Sequence, residues 1–379
     1  MSLEILGIGT ATPQHAITQQ DAEEMVAEFS CLEGSRRRAL AAIYRASKIC
    51  SRGSVLLEKS NGSGIHQKFF PPADSDADQG PSTRARLARY EVEAGRLAIQ
   101  AAERSLIEAE IAPSSVMHLV TCSCTGFASP GVDLELMHSL GLRPNISRTH
   151  VGFMGCHAAF NALRVASALS ASTRSKTVLV VAAELCSLHL QYGDRSDHIV
   201  ANAIFADGAG ALVGTQGELL PAHQNTAGDP LEGRQSRWRL SHQASVVLPD
   251  SSDAMGWMIG DHGFEMQLSP SVPEMIADHL GDFVNRELAA INLSLASIGS
   301  WAVHPGGPRI LASVQESLGL SEEAMATSHA VLAEYGNMSS ATVLFILERL
   351  MRDGTDLPCV ALAFGPGLTC EMAVFTASS

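Results

Sequence analysis

Three residues stand where chemistry could be done: Cys156 in VGFMGCHAAFNALRVA, His304 in SWAVHPGGP and Asn337 in YGNMSS. Cys156 follows Gly155 at a turn that leads from a strand into a buried helix. A helix N-terminus offers about half a positive charge and unpaired N–H groups, which favour a thiolate. The same N–H groups, that of Cys156 included, could receive the oxyanion of a thioester carbonyl under attack. The plain alternative is one more small buried hydrophobe, as the other cysteines read. His304 closes an apolar strand at His-Pro-Gly-Gly, which leaves the imidazole at the carboxyl end, where open α/β sheets place ligands. A histidine hydrogen-bonded in a turn fits it equally well. Asn337 precedes a helix that begins near Ser339 and, read alone, is a helix cap. The order of the three along the chain says more than any one of them.

The elements that must position them alternate between strand and helix. Glu4 to Gly7 reads as a first strand, Glu91 to Ala109 as a helix and Val116 to Cys122 as an apolar strand. Cys156 to Leu169 is an alanine-rich helix, apolar on most faces and therefore buried. Thr177 to Ala183 is a β-branched strand hidden on both sides. Ala203 to Gly214 reads as a glycine-rich strand pair. A polar stretch from about Thr215 to Arg237 separates this half from the next. The second half repeats the plan: strand Gly299 to His304, then Asn337 about 35 residues on, the same interval that separates strand 116–122 from Cys156. A buried helix, Ala341 to Met351, and strand Cys359 to Ala363 complete it. Such a duplication sets Cys156 and Asn337 at equivalent helix starts about a pseudo-twofold, with function where the halves meet. The halves are expected at 1–220 and 221–379.

The chain has 379 residues, of which 46% are hydrophobic and 17% charged, so a large core can form. A net charge of −14 argues against nucleic acid or an anionic membrane as partner. MSLEILGIGTATP lacks the basic and apolar regions of a signal peptide, and no apolar run approaches the roughly 18 residues of a membrane span. The eight scattered cysteines suit a reducing cytoplasm. Cys122 and Cys124 lie one residue apart with no second pair at zinc-site spacing, so no metal site is expected. Pro71 to Ser82 reads as an acidic surface loop. Arg36, Arg37, Arg38, Arg45, Lys48 and Arg52 form a basic island on a predicted helix in an acidic chain. A solvated helix face and a docking site for a polyanion both account for it.

These segments carry a family resemblance. GCHAAF around Cys156, IFADGAG around Phe205, WAVHPGGP around His304, YGNMSSATVLFIL and AFGPGLT occur in register over essentially the whole chain. Together they resemble the type III polyketide synthases, the chalcone-synthase-like branch of the thiolase superfamily. The resemblance implies a five-layered αβαβα thiolase-like fold of two pseudo-symmetric halves, with two mixed sheets around buried helices, in a homodimer. It implies that Cys156 takes a starter acyl group from coenzyme A while His304 stabilises the thiolate as an ion pair. Malonyl-CoA would then be decarboxylated against His304 and Asn337, and the carbanion would attack the Cys156 thioester. No metal, flavin or nicotinamide cofactor is implied. Phe205 corresponds to a phenylalanine that gates the passage between CoA tunnel and cavity; without the family it would read as a core aromatic. Arg45 and Lys48 fall where CoA phosphates are held, and Gly306, Gly307 and Arg309 would line the CoA tunnel.

Departures from the plant enzymes fall on the cavity. Cys124, Cys186 and His189 stand at threonine positions, Met266 replaces a phenylalanine, and Ser339 belongs to the same lining. Ser129 stands where a methionine crosses the dimer interface, and His157 where a phenylalanine follows the nucleophile. They suggest a bacterial-type cavity and not a coumaroyl starter. Cys124 reads either as packing or as a second thiol that holds an intermediate. Two other classes stay open: a single-round condensing enzyme akin to ketoacyl synthase III, using CoA or carrier-protein thioesters, and a non-catalytic relative that acts as a binding partner.

Overall fold

A computed structural model describes residues 2–59, 67–172, 177–216 and 237–378. The polar stretch between the halves, with the expected boundary at 220, falls mostly outside the described residues. The first half opens with β1 (Leu3–Ala11), β2 (Ala16–Thr18), α1 (Gln19–Phe29), α2 (Gly34–Ala46) and β3 (Ser51–Gly53). It continues through α3 (Thr83–Glu108), β4 (His118–Ser123), α4 (Val132–Leu140) and β5 (Ser147–Gly152). It closes with α5 (Ala158–Ser172), β6 (Val178–Leu185), α6 (Ser196–Ile204) and β7 (Asp207–Thr215). The second half begins β8 (Trp238–Val247), β9 (Met255–Gly260), β10 (Gly263–Leu268), α7 (Val272–Ala290) and β11 (Ser300–Val303). It ends α8 (Pro308–Leu318), α9 (Glu322–Tyr335), α10 (Thr342–Arg352), β12 (Cys359–Gly365) and β13 (Thr369–Ala377).

The duplication read from the sequence is present in the pairing. β4 lies parallel to β6, β6 antiparallel to β7 and β7 antiparallel to β1. The second half repeats this with β11 parallel to β12, β12 antiparallel to β13 and β13 antiparallel to β8. In each half a long helix, α3 or α7, and a single 3₁₀ turn precede the first of these strands. The two expected sheets are not separate. Leu3, Glu4 and Ile5 of β1 pair with Leu240, Arg239 and Trp238 of β8, which joins the halves into one nine-stranded sheet.

Three apolar cores stack along the molecule. One packs α1 and α3 on the outer face of β6 and β7. The middle core lies between the halves and is filled by Phe160 and Leu163 of α5 with Leu344, Ile346 and Leu347 of α10. The third packs α7 and α8 outside β12 and β13. β4, β6, β7, β11 and β12 are buried along their whole length, as strands covered on both faces should be. This is the layered arrangement of helices and sheets expected for the thiolase-like fold.

The segment AIFADGAGALVG corrects the reading of a strand pair. Its first residues end α6, and only Asp207 onward extends as β7. The cause is tertiary. Gly210 lets Leu344 of α10 lie 2.8 Å from where its Cβ would be, so β7 receives α10 directly. The Asp207 carboxylate takes N–H bonds from Ser187 and Val55 at 2.7 and 2.8 Å, which fixes the break between helix and strand.

Candidate active site

Cys156 lies two residues before α5 and not in its first turn, on the elbow that joins β5 to that helix. Gly155 before it has φ +82°, in the left-handed region that favours glycine, and a Cβ there would lie 2.3 Å from Pro366. The elbow is held from behind by Cys124. Gly155 N–H donates to Cys124 Sγ at 2.9 Å, and the thiol donates to the Gly155 carbonyl at 3.1 Å. Cys124 is therefore a brace for the Gly155–Cys156 turn as well as a lining residue.

From the second half come Asn337 and Ser339. The Asn337 carboxamide oxygen accepts the Ser339 N–H at 2.8 Å, so it caps its own turn and leaves its NH₂ for Cys156. Ser339 has φ 47°, left-handed backbone that costs a non-glycine residue about 1–2 kcal/mol. The side chains of Ser339 and Asn337 and the backbone N–H of Cys156 all direct hydrogens at Sγ and favour its thiolate. Burial outweighs them and pushes the Cys156 thiol up to about 11.

His304 is fully buried, and neither ring nitrogen has a hydrogen-bond partner. Burial, with a further push from His157, takes it down to about 3. The expected thiolate–imidazolium pair must form against burial at both groups. Each charge alone is opposed by desolvation, and only their simultaneous formation would let attraction offset that cost. A buried imidazole with two idle nitrogens is expensive unless something else binds it.

Cys156, Cys124, Cys186, Phe205, Met266 and Ser339 line one cavity together with Trp257. Its free volume for water-sized bodies is about 30 Å³. His189 lines an adjoining small hollow with Cys186, Phe205, Trp257 and Met266, and its ring is held with Nε2 on the Thr125 carbonyl at 2.7 Å and Nδ1 on the Phe264 N–H at 3.0 Å. Burial brings it to about 3, so it is a neutral structural histidine. Ser129 is exposed beside Phe127, over a second hollow lined by Gly126 to Leu134.

A larger cavity of about 340 Å³ runs past Gly306, Gly307 and Arg309 and is closed on its other side by Ile43, Ala46 and Ser47 of the α2 end. Arg45 and Lys48 are exposed beside that rim without lining it. Arg52 leaves the basic island altogether. It is buried and donates to the carbonyls of Asn202 at 2.6 Å and Phe205 at 2.7 Å, which pins the Phe205 segment. Cys31 and Cys50 are exposed and not core thiols. Among the described residues no group of three or more His, Cys, Asp or Glu side chains is placed to hold a metal ion.

Two residues escape the sequence reading. Trp257 pairs across the β9–β10 hairpin with Met266, and its indole N–H donates to the Cys124 carbonyl at 2.8 Å. Nothing in MGWMIG marks it as a lining residue. Glu184 is fully buried, and its carboxylate accepts from Cys124 N–H at 2.9 Å, Thr125 Oγ1 at 2.7 Å, Ser123 Oγ and Ser340 Oγ. It ties the floor of the first half to the Asn337 turn of the second, and burial raises its carboxyl. One signal was legible: an acid at the end of the run VLVVAAEL.

The chain matches the chalcone and stilbene synthase models, the N-terminal domain over residues 2–217 and the C-terminal domain over 239–378. It is 33% identical over 379 residues to the alpha-pyrone synthesis polyketide synthase-like Pks18 of Mycobacterium tuberculosis and Mycobacterium bovis, covering 98% of this chain and 90% of those. PKS-I from the brown alga Ectocarpus siliculosus superposes with a TM-score of 0.88 at 30% identity, covering 99% of this chain and 98% of that one. The C-terminal type III polyketide synthase domain of Steely1, a type I/III hybrid from Dictyostelium, does so at 0.85 with 25% identity over the full length of both.

Proposed function

Because the chain belongs to the chalcone and stilbene synthase family, the type III polyketide synthases, we propose that it loads an acyl-CoA starter on Cys156 and extends it with malonyl-CoA. The observation that carries this reading is the convergence of Cys156 from one half with Asn337 and Ser339 from the other, while a buried His304 has no partner of its own.

In loading, the Cys156 proton passes to His304, Sγ attacks the thioester carbonyl, and the departing CoA thiolate takes the proton back. In extension, the bond from malonyl-CoA to its carboxylate breaks, carbon dioxide leaves, and the electron pair remains as an enolate. N–H groups of Asn337 and His304 are the donors for that enolate oxygen. The carbanion then attacks the Cys156 thioester and frees the thiolate, which the lengthened chain can acylate again. No step changes an oxidation state, so the chemistry calls for no redox cofactor.

The 340 Å³ cavity is the passage assigned to the CoA arm, with Gly306, Gly307 and Arg309 along it and Arg45 and Lys48 at its rim for the phosphates. Phe205 and Trp257 narrow the space at Cys156, which supports a short chain that closes to a pyrone, resorcinol or other small phenolic ring. Exposed Phe127, Phe153 and Met154 beside the edge strand β5 support a homodimer. Eight cysteines without a disulfide suit the cytoplasm. Among the described residues no helix is long and apolar enough to cross a membrane.

Mass spectrometry of products from an acyl-CoA panel with malonyl-CoA tests the reading. Products of two or more extensions, lost in Cys156→Ala, are expected. Only single-extension products would replace it with the ketoacyl synthase III-like alternative. No acylation of Cys156 at all would leave the non-catalytic binding partner.

A further inference from the structure

The end of α2 borders the 340 Å³ cavity, and the exposed side of that helix is cationic. Ala46, Ser196, Pro270 and Arg309 line the cavity and also reach solvent, so its opening lies among them. From Ala46 a row of i, i+4 neighbours runs back along the helix through Ala42 to Arg38, all of them exposed. Arg45 stands three residues past Ala42 and shares that side. Arg38 and Arg45 are therefore about 10 Å apart along the axis, with only the Ala42 methyl between them. A second helix could lie close against such a face.

The cations of this region fall into two groups. Arg36 has Asp194 at 3.7 Å, and Arg195 has Asp197 at 2.8 Å and Glu265 at 3.7 Å. Arg37, Arg38, Arg45, Lys48 and Arg309 are exposed and have no carboxylate partner among the described residues. The chain holds 40 acidic residues against 26 basic ones, so carboxylates to pair with are plentiful. Its net charge of −14 repels an acidic partner from most of the surface, and here that repulsion is locally reversed.

The phosphates of coenzyme A account for Arg45, Lys48 and Arg309 at the rim. Arg37 and Arg38 lie two turns further out, on solvent. Acyl groups are also carried as thioesters of phosphopantetheine on small acidic carrier proteins. The arm is the one coenzyme A has, so one cavity takes either. What stays outside differs: a nucleotide in one case, an acidic helical domain in the other.

We propose that the exposed face of α2, with Arg37, Arg38 and Arg45, docks an acidic acyl carrier protein that delivers the starter to Cys156, with Arg309 serving the same opening. This rests on the loading step proposed above. In the transfer Cys156 Sγ bonds to the acyl carbon, the carbon–sulfur bond to the carrier breaks, and the Cys156 proton ends on the pantetheine thiol. Exposed charges of this kind act chiefly on the encounter rate.

The test compares two donors on the full chain: hexanoyl-CoA, and the acyl carrier protein of a dissociated fatty acid synthase loaded with hexanoyl phosphopantetheine. Intact-protein mass spectrometry follows acylation of Cys156. Both donors are expected to load the parent. Arg37→Glu with Arg38→Glu should slow loading from the carrier about tenfold and leave loading from hexanoyl-CoA within about twofold. Retained hexanoyl-CoA loading also shows that the variant is folded, and Arg37→Gln with Arg38→Gln replaces the pair if it is not. Equal loss with both donors would give this face to coenzyme A, and loading of the parent by hexanoyl-CoA alone would exclude the carrier. Either result overturns the inference. Failure of both donors on the parent would instead overturn the loading reading, and this inference with it.

Discussion

Asn337 and Phe205 share one isolated parallel β-bridge. Asn337 N–H donates to the Ile204 carbonyl at 2.8 Å, and Ala206 N–H donates to the Asn337 carbonyl at 2.9 Å. The residue that faces the thiol and the aromatic that narrows the cavity are thereby fixed to one another across the two halves. Arg52 holds the same segment from the far side.

Asn337→Ala removes the NH₂ donor but leaves this backbone bridge. Malonyl-CoA decarboxylation is expected to fall about 10²–10³-fold, the usual cost of one oxyanion donor. Acylation of Cys156 by an acyl-CoA should persist. Intact-protein mass spectrometry and carbon dioxide release separate the two steps, and equal loss of both would contradict the assignment.

Trp257→Gly should open the cavity between Cys124 and Phe205. The main product is expected to lengthen by at least one extension in an acyl-CoA and malonyl-CoA assay. Trp257 is only partly buried, so its loss costs less than the about 3–5 kcal/mol of a core aromatic, but the melting temperature should still fall. A lower melting temperature with the same product length would show that Trp257 does not limit the chain.

Cys124→Ser decides between a brace and a second acyl holder. With its sulfur engaged by both backbone groups of Gly155, and its thiol pushed well up by burial, it is expected to carry no acyl adduct in peptide mass spectra of the loaded enzyme. Product length and malonyl decarboxylation should survive the substitution. A shortened product with intact decarboxylation would make it an acyl holder.

Acid should destabilise the fold through buried neutral histidines. His189 and His304 sit near 3 in the fold, against 6.5 ordinarily. The unfolded chain therefore binds protons first as pH falls. Their stabilisation is full above about 6.5 and is lost towards 3, at up to about 1.4 kcal/mol per pH unit for each. Asp207, raised to about 6, and Glu184, raised by burial, work the other way at the acid end. Thermal melts of the parent and His189→Gln from about pH 7.5 down to 5 separate the terms: the variant should lose less stability as pH falls. Parallel profiles for the two proteins would mean that the His189 ring is not held neutral.

The sequence alone determined what local signals can carry. Gly155 before Cys156, the strand stop at His304-Pro305 and the repeated interval to Asn337 marked the candidate nucleophile, its candidate partners and the duplicated plan, because turn chemistry and hydrophobic period are written within a few residues. Tertiary structure decided everything set by distant approach. Arg52 turned inward because carbonyls at Asn202 and Phe205, some 150 residues away, receive it. His189 became a structural ring because Thr125 and Phe264 occupy both its nitrogens. Trp257 entered the cavity only because its hairpin folds over Cys124. The joining of two sheets into one rests on three residue pairs between β1 and β8 that no local pattern specifies. The charge on Cys156 belongs to this second class, since desolvation and the donors at Sγ come from both halves at once.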